Sequence, residues 1–221
     1  MSEPIRHRDS GQWLSSFASR IEVSCPRCGR AGAVRAVWAD RQWTAVFVCG
    51  QCGLDARSER SDWWGKLRVT GRRPCGYCGY QWLCVDRIRP SAGNWPIEVR
   101  DWLATALPEA IAVDCPLCKR ASNVAVEARR ERDREGHDPH FGMPLRLIER
   151  TRAGLLWAYN AEHIDELRRY VAADQRERRC ATPNKTMISR LPTWMKLARH
   201  RALMLKSLDR LSARLDESAS A

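Results

Sequence analysis

Four Cys-x-x-Cys pairs constrain the fold of this 221-residue chain more than any other feature of its sequence. The pairs are Cys25/Cys28, Cys49/Cys52, Cys75/Cys78 and Cys115/Cys118. Two intervening residues let both sulfur atoms of a pair face one ion across a tight turn, and zinc prefers four tetrahedral thiolate or imidazole ligands. The pairs therefore predict two small zinc-bound modules, arranged as an internal duplication at low sequence identity.

The first module covers the stretch CPRCGRAGAVRAVWADRQWTAVFVCGQCG, residues 25–53. Between its cysteine pairs lie β-branched and aromatic runs on either side of the polar residues 39–42, which predict a hairpin with a turn there. Gly29 and Gly53 follow the second cysteine of each pair, where the backbone φ angle can be positive. The predicted zinc ligands of this module are Cys25, Cys28, Cys49 and Cys52.

The second module has a wider interval, with 36 residues between Cys78 and Cys115. Its predicted ligands are Cys75, Cys78, Cys115 and Cys118. A rival pairing joins Cys49/Cys52 to Cys75/Cys78 and leaves the outer pairs to each other. Sequential pairing is favoured because it closes shorter loops.

Sites with four cysteine ligands are closed, whereas catalytic zinc usually keeps an open coordination position. The predicted role of the two zinc ions is therefore structural, and the chain is expected not to be an enzyme. His137, Asp138 and His140 could ligate a metal, but the Pro and Gly around them favour a plain loop. Cys84 is expected to be a buried apolar thiol, and His163 to lie on a solvated helix face.

The N-terminus has no apolar signal segment and the chain has no run long enough to span a membrane, which predicts a cytoplasmic protein without a membrane partner. The net charge of +12 favours an acidic partner such as nucleic acid. Residues 175–221 carry eleven Lys or Arg against four acids, so much of the excess lies beyond the cysteines. The ten tryptophans are expected mainly to cover the thin zinc modules, although such rings also stack on unpaired bases.

The predicted fold class is α+β, with two small zinc ribbons followed by a β-hairpin and a C-terminal helical region. Asn160 is expected to cap a helix that runs to about Ala173, and Pro192 to open a new segment. The segments are 1–20, a disordered tail; 21–74, the first ribbon and connector; 75–126, the second ribbon with an insert; 127–140, a charged connector; 141–174, a hairpin and helix; 184–215, basic amphipathic helices; and 216–221, a disordered tail.

The last predicted helix has two unlike sides. At 100° per residue, one side carries Met204, Leu208, Leu211 and Leu215, and the opposite side carries Lys206, Arg210 and Arg214. The apolar side must pack on the protein, and the basic side could follow phosphates. The predicted nucleic-acid contacts are Arg35, Arg41, Lys196, Arg199, Lys206, Arg210 and Arg214.

The paired cysteine turns resemble the transcription-factor type of zinc ribbon. The segments FGMPLRLIERTRAGLLWAYN and SRLP, together with their neighbouring helices, resemble bacterial zinc-ribbon proteins of unassigned function. Met143 and Arg146 stand where those proteins have Leu and Trp. The resemblance covers most of residues 25–211 and implies zinc binding without implying a reaction.

Two functions are compatible with these features. The first is a non-enzymatic protein with two zinc ions that binds nucleic acid, without a small-molecule substrate. The alternative is a protein-interaction adaptor that presents its ribbon surfaces and docks its amphipathic C-terminal helices in a groove of a protein partner. Salt-dependent retention on a nucleic-acid resin separates the two functions.

Overall fold

The computed structural model describes residues 5–89, 109–131, 136–177 and 185–219. Its fold is α+β, with mostly small antiparallel sheets and a long C-terminal helix. The strands are β1 (Arg6–Arg8), β2 (Arg20–Ser24), β3 (Ala31–Ala39), β4 (Gln42–Val48), β5 (Asp55–Arg57), β6 (Leu67–Arg73), β7 (Leu83–Arg89), β8 (Ala110–Asp114), β9 (Ala121–Ala125), β10 (Glu127–Arg130), β11 (Ile148–Thr151), β12 (Gly154–Trp157) and β13 (Gln175–Glu177). The α-helices are α1 (Ala161–Ala172), α2 (Thr193–Lys196) and α3 (Arg201–Ala219).

The first ribbon, residues 20–57, is an antiparallel sheet in the order β2-β3-β4-β5. Strands β3 and β4 form the predicted hairpin, and its turn is only two residues long. Asp40 and Arg41 both have positive φ, at 50° and 62°. Two such residues make the turn type whose twist matches that of the flanking strands. Trp38 of β3 and Trp43 of β4 lie opposite each other near this turn.

The second ribbon, residues 67–130, has a three-stranded sheet in the order β10-β6-β7 and a separate β8–β9 hairpin. Gly71 of β6 marks the place where the two sheets cross. An added Cβ there would lie 2.3 Å from the Ala125 carbonyl oxygen and 3.0 Å from a Val124 methyl. Only glycine permits this approach of the β6 backbone to β9.

The largest core joins the first ribbon to the C-terminal region. Ile21, Val34 and Phe47 of the ribbon belong to the same buried cluster as helices α1 and α3. The predicted apolar side of α3 is confirmed, because Met204, Leu208 and Leu211 are buried. Helix α1 likewise buries Ile164, Leu167 and Val171. The second ribbon has its own smaller buried cluster: Val69, Cys75, Leu83, Val85, Cys115 and Val124.

Several predicted boundaries of the C-terminal region are confirmed. Strands β11 and β12 form the hairpin expected around residues 151–154. The Asn160 side chain accepts a hydrogen bond from the His163 amide at 2.9 Å and caps α1. Pro192 precedes α2, as expected for a residue that opens a helix.

Within the segment 1–20, where a disordered tail was expected, residues 6–8 form a strand and residues 14–17 a short 3-10 helix. Strand β1 pairs in parallel with β13, and Phe17 is 2% exposed. The partner strand lies about 170 residues away along the chain, and the sequence Arg-His-Arg of β1 has no alternation of apolar residues. No local pattern could therefore reveal this pairing.

Two further expectations differ from the structure. Residues 127–130 of the expected charged connector form β10, which pairs with β6. Helix α3 continues to Ala219 through part of the expected 216–221 tail. Residues 90–108, which contain the expected insert of the second ribbon, and residues 178–184 lie outside the described residues. Within the described part of the chain, no helix combines the length and apolar character needed to cross a bilayer.

We predict that Gly71→Ala destabilises the second ribbon by about 1–3 kcal/mol, because β6 and β9 must separate to admit the methyl group. Gly76→Ala is the matched control in the same ribbon, since its new Cβ meets nothing closer than 3.6 Å. Amide hydrogen exchange of β6 and β9 measures the difference. Equal protection in the two variants would contradict the close crossing.

Candidate metal centres

The eight paired cysteines form two groups of four, each with its sulfur atoms within 4.8 Å of one another. In the first group, Cys25 Sγ lies 3.6 Å from Cys52 Sγ, and Cys28 Sγ lies 3.5 Å from Cys49 Sγ. In the second group, the distances are 3.7 Å from Cys75 to Cys118 and 3.6 Å from Cys78 to Cys115. The structure thus brings the cysteines together in the sequential pairing, and not in the rival one.

These distances fit a tetrahedral metal ion. A zinc ion lies about 2.3 Å from each thiolate, so the sulfurs of a tetrahedral site are about 3.8 Å apart. A disulfide would instead place two sulfurs about 2.05 Å apart. Each group of four can therefore hold one metal ion, and the described part of the chain contains two such groups.

The four cysteine turns share one backbone pattern. The amide of the first cysteine donates to the carbonyl five residues later, as from Cys25 to Arg30 at 2.8 Å and from Cys115 to Arg120 at 3.0 Å. Its own carbonyl accepts from the residue that follows the second cysteine, as from Gly29 at 2.9 Å and Lys119 at 2.9 Å. This turn, called a knuckle below, directs both sulfurs of a pair to the same side.

The residue after the second cysteine has positive φ in every knuckle. Gly29, Gly53 and Gly79 have φ angles of 74°, 67° and 72°, as expected for the first two from the sequence. In the fourth knuckle, Lys119 occupies this position with φ of 60°. The left-handed conformation is unfavourable for a residue with a Cβ, so the fourth knuckle carries strain that the other three avoid.

Two opposing effects act on the thiol pKa values. The backbone N–H groups of Tyr77 and Cys78 lower the pKa of Cys75 to about 6, because they stabilise its thiolate. Burial raises the pKa of Cys25 to about 12, because a thiolate is poorly solvated there. A bound cation would stabilise all four thiolates of a group and so remove this conflict.

The knuckles bury the first cysteine of each pair and turn the residue just before the second cysteine outward. The first cysteines are buried, whereas Cys28 and Cys78 are exposed. The third knuckle presents Tyr77 at 60% exposure, and the fourth presents Leu117 at 68%. The sequence analysis did not single out Tyr77 or Leu117. The signal that could have found them is their position just before the second cysteine of a pair, which is exposed in all four knuckles.

The unpaired Cys84 is exposed, so the prediction of a buried thiol was wrong. Leu83 and Val85 on either side of it are buried in the small core. Because side chains alternate along a strand, Cys84 must point to the opposite, solvated face of β7.

The loop that contains His137, Asp138 and His140 is organised by a carboxylate. Asp138 is 2% exposed, and its side chain accepts hydrogen bonds from the amides of His140, Phe141 and Met143 at 2.5–2.8 Å. Among the described residues, these three do not form a metal-ligand group. The plain-loop interpretation is the one that the structure bears out.

His163 is buried, contrary to the expected solvated helix face. Its ring stacks on Phe17, with the ring centroids 4.8 Å apart. Burial lowers the pKa of His163 to about 3, so the ring is neutral near pH 7 and accepts a hydrogen bond from the Tyr159 amide. This histidine is a packing residue of the shared core.

The expected basic side of α3 is partly neutralised. Arg210 and Arg214 both contact the Glu149 carboxylate, at 2.8 Å and 2.6 Å. Although burial acts to raise it, these two guanidinium groups hold the pKa of Glu149 below its usual value. These two residues are therefore already ion-paired, which the helical period cannot show because the acid lies on another element. The phosphate-facing row on α3 stays a prediction.

The other predicted phosphate contacts lie in different surroundings. Lys196 donates to the Ser189 carbonyl at 2.7 Å and so closes a turn. Arg199 and Lys206 are exposed in the C-terminal region, and Arg35 and Arg41 are exposed on the first ribbon. Arg35 and Arg41 form no ion pair among the residues that the structure describes.

The chain matches no protein-family model, no curated protein and no solved structure. Its resemblance to bacterial zinc-ribbon proteins therefore stays a prediction.

We predict that Cys49→Ser with Cys52→Ser removes one of the two metal ions and leaves the second ribbon loaded. The physical reason is that each ion has its ligands within one ribbon. Metal analysis of the purified full-length chain, before and after the substitutions, measures the ratio. Loss of the ion held at Cys75 and Cys78 from the double variant would contradict the sequential ligand sets and support the rival pairing.

A second prediction concerns the strain at Lys119. Lys119→Gly should stabilise the metal-bound second ribbon by about 0.5–1 kcal/mol, because glycine adopts positive φ without steric cost. Competition with a chelator for the second ion provides the measurement. Gly79→Lys is the matched reverse exchange at the equivalent position of the third knuckle, where an added Cβ meets no atom within 4 Å. This variant should bind the metal more weakly. A weaker affinity in Lys119→Gly would disprove the strain.

Proposed function

We propose that this chain is a non-enzymatic zinc protein whose two ribbons form a nucleic-acid-binding surface. Zinc is the proposed metal because four thiolates in a tetrahedral, closed arrangement suit a structural zinc ion. A reducing compartment such as the cytoplasm fits the proposal, since the ligands must remain thiolates and not form disulfides.

The observation that carries the proposal is the position of the exposed arginines that have no acidic partner. In the C-terminal region, Arg210 and Arg214 pair with Glu149, and Arg201 pairs with Asp174 at 2.8 Å. The ribbons contain ion pairs as well, such as Arg20–Glu22 and Arg68–Asp86. They also carry four exposed arginines that have no acidic partner among the described residues: Arg35, Arg41, Arg72 and Arg120. Guanidinium groups that are exposed and lack a carboxylate are available to phosphate oxygens.

Arg35 is the best placed of these residues on the first ribbon. It lies on the outer face of β3, where it is paired in register with Arg20 of β2 and Val46 of β4. These residues line a shallow depression of about 530 Å³. An extended phosphate backbone could follow this depression, with Arg35 beneath it.

The second ribbon also carries an excess of positive charge. Residues 67–89 and 109–131 contain nine Lys or Arg against five acids. Two of its ion pairs, Arg68–Asp86 and Arg129–Glu127, join exposed side chains and contribute little to stability. The ribbon surfaces therefore support the proposal more directly than α3, where Lys206 is exposed but Arg210 and Arg214 are occupied.

The test is the salt dependence of binding to labelled single-stranded and duplex oligonucleotides. Each phosphate contact releases condensed counterions, so replacing Arg35 with Gln and Arg41 with Asn should lower the salt slope by about 0.7–0.9 for each residue that touches a phosphate. Asn suits position 41 because it tolerates positive φ.

Arg168→Gln is the control, since Arg168 of α1 is ion-paired with Asp209 and is not one of the predicted phosphate contacts. Both variants should keep two metal ions. If the wild-type chain binds no nucleic acid in a salt-dependent manner, the nucleic-acid proposal is wrong and the protein-adaptor alternative takes its place.

A further inference from the structure

We propose that the knuckle end of the second ribbon binds single-stranded nucleic acid by stacking unpaired bases on Tyr77 and Trp82. This inference rests on the proposed nucleic-acid function and specifies its ligand. The surface, called the stacking end below, consists of Tyr77, Trp82 and Leu117 with the neighbouring Arg72 and Arg120.

The first ring belongs to the third knuckle. Tyr77 is 60% exposed, and the Arg120 guanidinium lies 5.2 Å from its ring centroid. Arg120 follows the fourth knuckle, so this contact joins the two halves of the metal site. Leu117, 68% exposed, is the outward residue of the fourth knuckle. An aromatic ring, an arginine and an apolar side chain thus share one solvated tip.

The second ring lies just after the third knuckle. Trp82 is 48% exposed, and the Arg72 guanidinium lies 3.5 Å from its ring centroid. The planar guanidinium group covers one face of the indole and can itself stack on a base. This arrangement offers a stacking surface with a positive charge beside it.

The two rings are close enough to engage one strand. Trp82 follows Tyr77 by five positions along the chain, which limits their Cα atoms to about 18 Å apart. Both belong to the β6–β7 hairpin, at the end closed by the knuckle. The metal-fixed turn holds the backbone of Tyr77, so little conformational entropy is lost when a base stacks there.

The first ribbon lacks this combination at its knuckles. The outward residues at the equivalent positions are Arg27 and Gln51, both polar. Duplex DNA keeps its bases paired and stacked inside, whereas a single strand offers the flat faces that such rings bind. The exposed aromatic rings beside unpaired arginines therefore favour a single strand over a duplex and over a protein partner.

The experiment uses the full-length, metal-loaded chain with a labelled oligothymidine, an oligouridine and a duplex of the same length. Tyr77→Ala and Trp82→Ala should each weaken binding of the single strands about fivefold or more, and the duplex much less. The salt slope should stay unchanged, because no charge is removed. Tyr77→Phe and Trp82→Phe should retain most of the affinity, since both keep a ring.

Ile88→Ala is the matched control, because Ile88 is 57% exposed on β7 but far along the strand from the knuckle. Metal content and circular dichroism confirm that each variant is folded. The oligothymidine and oligouridine arms distinguish DNA from RNA.

The outcomes separate this inference from the proposed function. If the chain binds nucleic acid but both alanine variants bind like the wild type, the stacking end is disproved and the proposed function stands. Equal losses for single strands and duplex would also overturn base stacking. If the wild type binds none of the three probes, both proposals fail together.

Discussion

The convergence of four sulfur atoms on one point is the constraint on which each ribbon depends. Thiolates at 3.5–3.7 Å repel one another unless a cation lies among them. Protonation of the thiolates would relieve this repulsion. It would also remove the negative charge that the backbone amides of the third knuckle stabilise at Cys75. A bound metal ion would remove the repulsion and keep the thiolates charged. Its binding free energy would therefore contribute to the folding free energy of the joined hairpin ends.

The two ribbons differ in how much else stabilises them. The inner face of the first ribbon buries Phe47 and Ile21 in the core shared with α1 and α3, and therefore gains hydrophobic stabilisation beyond its metal site. Among its described residues, the second ribbon has a buried cluster of six, two of which are cysteines of the second candidate metal centre. Its fold should rest more heavily on the metal, as expected for a module too small to stabilise itself.

Sequence reasoning was most successful where the determining contacts are local. The turns at the Cys-x-x-Cys pairs, the β3–β4 hairpin and the Asn160 cap were all predicted from the sequence. Each depends on residues that lie close together along the chain. The parallel pairing of β1 with β13 joins opposite ends of the chain and left no local trace. The exposed Cys84 shows a different limit, because strand alternation gives the two faces but not which of them is buried.

The pairing of Arg210 and Arg214 with Glu149 shows why a basic helix side is weak evidence of a binding surface. A helical projection gives the positions of charges on one helix, whereas their availability depends on acids contributed by neighbouring strands. The same argument strengthens the case for the ribbons. Arg72 and Arg120 face aromatic rings and not carboxylates, beside knuckles whose cysteines converge on a candidate metal centre. Rigid, cationic and aromatic groups at one tip satisfy the requirements of a strand with flat bases and charged phosphates.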